Sequence, residues 1–202
     1  MPYVESALRS KQAVAAARVV LMRDGVARTS MRAVATEAAI PLGTLQYVFP
    51  TKHGLLQAVI EDVVEEIANV LKDSAETEAG LEHAIRQGMR NFWAQLVVEH
   101  RDLQLMQYEL VTHALRSPEL ADLSRWQYER YFEVVAEWCR EAASRAQETC
   151  AVPIARLARV VIASVDGLIL QQVIDPDTER SAADLEVAID MIVALAAPRA
   201  SS

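Results

Sequence analysis

Apolar side chains recur at every third or fourth position through most of the chain, and period-two alternation is almost absent. That is the spacing of a buried helical stripe, so the pattern predicts an all-α protein. A first helix is expected over residues 5–24, with Leu8, Val14 (or Ala15), Val19 and Met22 near one side and Gly25 as its stop. Two short helices follow. In the first of them Met31, Val34, Ala35 and Ala38 share a face behind Thr29 or Ser30 as N-cap. The second opens at Pro41, which presets a helical φ, and is anchored by Leu45, Val48 and Phe49. Thr51 caps a long helix over 52–73, striped with Leu55, Leu56, Val59, Val63, Ile67 and Val70.

The pattern continues in a fifth helix, near 79–99, with Leu81, Ile85, Met89, Phe92, Trp93 and Leu96 inward. A sixth covers 102–115, and Ser117-Pro118-Glu119 breaks the chain before a long aromatic seventh at 119–148. Pro153 opens an eighth, which Asp175-Pro176-Asp177 ends, and a ninth spans 181–196 before a frayed tail. Six glycines and seven prolines in 202 residues fit such a chain. About fifty residues make too small a core to stand alone, so the first three helices need the fourth. The division expected is 1–51 and 52–202.

Short helix, tight joint, short helix is the helix-turn-helix plan, whose second helix enters the DNA major groove. The residues Gly25, Thr29-Ser30, Val34-Ala35, Ala38-Ala39-Ile40-Pro41, Gly43-Thr44-Leu45-Gln46, Phe49, Lys52 and Leu55-Leu56 closely resemble the N-terminal motif of the TetR family of transcriptional regulators. Two positions depart from it: Ala39 stands where the turn usually has Gly, and Gln46 where the second helix usually has Tyr, with Tyr47 next door. The resemblance implies a helix-turn-helix DNA-binding domain joined to a C-terminal helical domain for ligand binding and dimerisation.

The net charge of −8 by itself argues against DNA as a partner. Residues 1–60, however, carry seven basic side chains against three acidic, or +4, and the remainder 13 against 25, or −12. A basic lobe on an acidic body is expected when only one end meets phosphates. No apolar run in the sequence approaches a bilayer span, and no leader precedes the first helix, so a cytoplasmic protein without a membrane partner is expected. Cys139 and Cys150 have neither CxxC spacing nor a histidine pair, and read as reduced thiols without a metal. No cofactor is implied. His53, His83, His100 and His113 are scattered and no nucleophile, phosphate-loop or zinc motif is present, which argues against an enzyme. A non-catalytic helical interaction protein and an activator on the same scaffold are the alternatives to a repressor.

Three sets of residues carry the expected function. In the second short helix Leu42, Gly43, Thr44, Gln46 and Tyr47 are free to face the groove, where Gln46 suits an adenine edge and Thr44 a thymine methyl or a phosphate. Arg28, Thr29, Ser30, Arg32, Tyr47 and Lys52 would hold the flanking phosphates. Met89, Phe92, Trp93, Met106, Trp126 and Tyr131 form an adaptable apolar pocket, with Gln107, Gln127, Tyr108 and nearby His113 as its polar end, for a lipophilic or aromatic effector. Val161, Val165, Gly167, Leu168, Ile189, Ile192 and Val193 belong to helices so apolar that a second copy should cover them. The resulting homodimer would read a palindromic operator with half-sites roughly 34–36 Å apart. By the resemblance, the effector wedges against the fourth helix and moves the reading heads off operator spacing.

Overall fold

The computed structural model describes residues 2–73, 79–98, 100–118 and 121–201. Among them the order is α1 (Pro2–Asp24), α2 (Met31–Glu37), α3 (Leu42–Val48), α4 (Lys52–Asp73), α5 (Gly80–Leu96), α6 (Arg101–Arg116), α7 (Ala121–Arg145), β1 (Glu148–Thr149), α8 (Ile154–Ile174), α9 (Thr178–Ala196) and β2 (Arg199–Ala200). Glu99 and Glu119, placed above in the fifth helix and at the start of the seventh, lie outside the described residues. The tail is not frayed. β2 pairs antiparallel with β1, Glu148 opposite Ala200, and Ser201 N–H donates to the Gln147 carbonyl at 2.7 Å.

The chain packs as two compact units, Met1–Glu65 with Asp102–Gln127, and Glu66–Arg101 with Tyr128–Ser202. Packing thus groups α6 with the first three helices and the first part of α4.

In the first unit α1 turns a small-residue side inward. Ala13, Val14, Ala16, Ala17, Val20 and Leu21 are buried, while Leu8 and Val19, expected inside, are exposed. Alanines allow α1 close approach to α2 and α3, a stripe that a search for large apolar residues overlooks. Gln12 Nε2 donates to the Ala38 carbonyl at 2.7 Å, Arg23 pairs with Glu37 at 2.8 Å, and Arg18 ties α1 to Asp62 of α4 at 2.7 Å. Thr51 caps α4, accepting from Gly54 N–H at 3.0 Å.

In the second unit α8 and α9 form a helical hairpin that Asp177 restarts by capping Arg180 N–H. Arg86 bonds Asp190 and Arg90 grips Glu186 with two nitrogens, all at 2.7 Å, pinning α5 to α9. Gly88 admits the Trp138 ring, whose nearest carbon would lie 2.4 Å from an added Cβ. Contrary to the sequence expectation, α8 is long and apolar enough, by length and composition, to cross a membrane, with a mean hydropathy of 1.6. Packing on α9 and the core uses one of its sides: Leu157, Ala158, Val161, Ile162, Ile169 and Val173 are buried.

Candidate nucleic-acid interface and effector body

The joint between α2 and α3 is a Schellman turn. Ala39 N–H donates to Thr36 O and Ile40 N–H to Ala35 O, at 3.1 and 3.0 Å, with Ala39 itself left-handed at φ 52°. This is the position where the family pattern has glycine, and the chain adopts the same conformation at the strain of a Cβ. Pro41 at φ −59° then starts α3. Leu45 is fully buried and Phe49 nearly so, which fixes the outward face. On that face Gln46 and Gly43 are exposed, Tyr47 is 83% exposed, and Leu42 and Thr44 are half-buried. Tyr47 is therefore not a core aromatic. An added Cβ on Gly43 would meet nothing within 4 Å, so helix packing does not require that glycine.

The flanking residues separate. Ser30 is the N-cap of α2, accepting from Ala33 N–H at 3.1 Å and keeping its own O–H free to donate. Thr29, expected on phosphate, is buried, and its hydroxyl donates to the Gly25 carbonyl at 2.8 Å. That removes it from the surface. Arg32 is exposed, as is Arg28, whose Nε holds the Asp24 carbonyl at 2.8 Å. Lys52 is half-buried; its Nζ donates to the Val26 carbonyl at 3.0 Å, and desolvation lowers its pKa. The structure makes it a brace for the α1–α2 loop.

That loop is held from a second side. Gly25 adopts φ +76°, and beside it Val26 N–H donates to Glu109 Oε2 of α6 at 3.0 Å. Val26 thus has its N–H on α6 and its carbonyl on α4, all within the first unit. Pattern reading missed Glu109, which carries no local signal; Gly25 was its only trace. A groove of about 560 Å³ runs between the loop and Glu109, Thr112, His113 and Arg116. His113 therefore belongs to the loop side of α6, not to the polar end expected for the pocket.

The nine effector positions fall in both units. Met106 and Gln127 are buried in the first, with Gln107, Tyr108 and Trp126 half-buried; Met89 and Trp93 are buried in the second, with Phe92 and Tyr131 half-buried. The sequence reading missed Gln104, which is buried and accepts from Gln107 Nε2 at 3.4 Å. Cys139 is a buried free thiol that desolvation pushes up to about 12, and Cys150 is a half-buried one.

Three of the seven expected partner-facing residues are taken up by the chain's own core. Val161, Ile189 and Ile192 are buried by the chain's own packing, while Val165, Leu168 and Val193 are half-buried. The exposed apolar positions of the hairpin are instead Leu170, Ile174, Val187 and Met191, with Gly167 exposed beside open space. The stripe on each helix was legible, but the core claims its deepest residues first.

A capped helix, a tight left-handed turn and an outward-facing second helix define a helix-turn-helix DNA-binding regulator. The sequence profile described as "Bacterial regulatory proteins, tetR family" matches residues 13–59, and that described as "Tetracyclin repressor-like, C-terminal domain" matches 84–195. The chain is 32% identical over 175 residues to the HTH-type nicotine-responsive transcriptional repressor HdnoR of Paenarthrobacter nicotinovorans, covering 85% of this chain and 87% of that one. It belongs to the TetR family of transcriptional regulators. Among solved structures it is similar to the multidrug binding protein EbrR complexed with imidazole (26% identity, TM-score 0.66, 93% and 89% of the two chains). It shares its fold with SmeT, the repressor of the Stenotrophomonas maltophilia multidrug efflux pump SmeDEF (22% identity, TM-score 0.69, 92% and 88%).

Proposed function

We propose that the chain is a cytoplasmic, non-enzymatic repressor that binds a palindromic operator as a homodimer and leaves it when a small effector binds. The observation that carries this is α3, which turns Gly43, Gln46 and Tyr47 outward over the anchors Leu45 and Phe49. Gln46 reads a base edge; Tyr47, Ser30, Arg28 and Arg32 hold phosphates, and open Gly43 lets the backbone come close. Lys52 acts indirectly, by bracing Val26. Residues 1–51 are the reading head in this scheme and 52–202 the body that senses and dimerises. The second copy sits on Gly167, Leu170, Ile174, Val187 and Met191, the open apolar face of α8 and α9.

The effector is small and aromatic or lipophilic. The nicotine response of one relative and the imidazole complex of another support nitrogen heterocycles as a starting class. Of the positions expected to meet it, Met106, Gln107, Tyr108, Trp126 and Gln127 belong to the first unit, and Met89, Phe92, Trp93 and Tyr131 to the second. Movement of α4 or α6 reaches the start of α2 through the two bonds on Val26. Release needs the effector to prefer the non-binding arrangement by about 1–3 kcal/mol.

Gel shifts with the DNA flanking the gene test the reading. Gln46→Ala should lose roughly 1–3 kcal/mol and relax preference at one base pair, while Tyr47→Ala should weaken all sequences alike. Wild-type binding by both variants would refute the assignment of α3.

A further inference from the structure

The groove between the α1–α2 loop and α6 carries charges that DNA reading does not account for. It encloses about 560 Å³, and its walls bring Arg28 of the loop together with Glu109, Thr112, His113 and Arg116 of α6. The α6 residues recur at spacings of three and four, so they share one face of the helix. All of them, and the loop, are in the first unit.

Their existing bonds decide which groups are open to a ligand. The Thr112 hydroxyl already donates to the Tyr108 carbonyl at 2.8 Å. Asp24 at the rim is held by two Arg23 nitrogens, each at 3.1 Å. Arg28 donates its Nε to the Asp24 carbonyl, which leaves both terminal nitrogens of its fork. The side chains of exposed Arg116 and half-buried His113 make no hydrogen bond or ion pair among the described residues. Glu109 accepts from Val26 N–H on Oε2, while its Oε1 has no hydrogen bond among the described residues.

The open charges are of both signs, and that selects the ligand. A simple anion would pair with the two guanidinium forks but would face the Glu109 and Asp24 carboxylates. The last turns of α1 and α6 also end in these walls, and helix C-termini carry partial negative charge. A simple cation would pair with Glu109 but meet Arg28 and Arg116. A molecule with one group of each sign escapes both repulsions. We propose that this groove binds a small zwitterion of the amino-acid class, its carboxylate on the forks of Arg28 and Arg116 and its ammonium on Glu109 Oε1. The site is separate from the apolar effector positions. An occupant draws the Arg28 fork away from operator phosphate and so weakens DNA binding. That consequence alone rests on the reading of Arg28 as a DNA contact.

Titration of the full chain with phenylalanine, hydrocinnamate (no ammonium) and phenethylamine (no carboxylate), followed by NMR without DNA, tests the site. Wild type should bind phenylalanine about fivefold or more tightly than either analogue, the scale of charge-assisted bonds at a partly exposed site. Arg116→Gln should remove most of the advantage over phenethylamine, and Arg116→Lys, a charge without a fork, should fall between. Glu109→Gln should remove the advantage over hydrocinnamate. Arg116 is exposed and unpaired, so the melting temperature of Arg116→Gln should match wild type, separating lost binding from lost fold. Equal binding of the three probes by wild type, or unaltered phenylalanine binding by Arg116→Gln, overturns the site. If the probes bind alike and Arg116→Gln weakens operator binding on ligand-free gels, the fork serves DNA phosphate and the zwitterion site is likewise overturned. Phenylalanine binding that depends on Arg116 but leaves operator affinity unchanged upholds the site and refutes the DNA role given to Arg28.

Discussion

Replacing Gly25 with alanine should be among the most damaging single-methyl changes in this chain. Gly25 sits at φ +76°, where a Cβ costs about 1–2 kcal/mol. The new carbon would lie 2.8 Å from Glu109 Oε2, the oxygen that accepts from Val26 N–H. A glutamate end can swing away, but doing so forfeits a hydrogen bond to a charged group, worth roughly 1.5–3 kcal/mol. The stiffer unfolded chain returns about 0.4–1 kcal/mol. The net loss is about 2–4 kcal/mol, which at about 2–4 °C per kcal/mol for a chain of this size lowers the melting temperature by roughly 4–16 °C. Differential scanning calorimetry measures this directly. Glu109→Gln keeps an acceptor and should lose about 1 kcal/mol or less. Because both residues act on one bond, the double variant Gly25→Ala/Glu109→Ala should be less destabilised than the two single effects combined. An unchanged melting temperature for Gly25→Ala, or strict additivity, would show that Glu109 does not hold the loop. Operator affinity should fall with stability in the single variants, since the same loop sets the entry of α2.

Ala39→Gly acts in the opposite direction: it relieves the left-handed strain at φ 52° for a smaller entropic loss and should stabilise by about 0.5–1 kcal/mol, measured as a higher denaturant midpoint. A destabilised Ala39→Gly would mean that the turn is not strained. Leu170→Glu combined with Met191→Glu places charges on the open face of α8 and α9; wild type should sediment as two chains at micromolar concentration and the variant as one. Wild type already sedimenting as a single chain would refute that face as the partner surface.

Local chemistry made much of this protein legible. Gly25, Pro41, Thr51, Pro153 and Asp177 punctuate the helices by their own backbone preferences, so the element order follows from short-range rules. The division of α3 into anchors and readers is also local, because a helix of seven residues with Leu45 buried leaves Gln46 and Tyr47 nowhere to point but out. The motif spacing carried the family for the same reason. What periodicity reports is that a face is apolar, not what covers it. Packing therefore had to decide that alanines bury α1, that the core takes up Ile189 and Ile192 of α9, and that Leu170 and Met191 stay open. Bonds between residues far apart in the chain leave no periodic trace. Glu109 finds Val26 across 83 positions, Lys52 finds the same residue across 26, and Glu148 caps Leu81 across 67. Each satisfies a backbone group that a turn had left unpaired, and only the tertiary structure brings the two ends together.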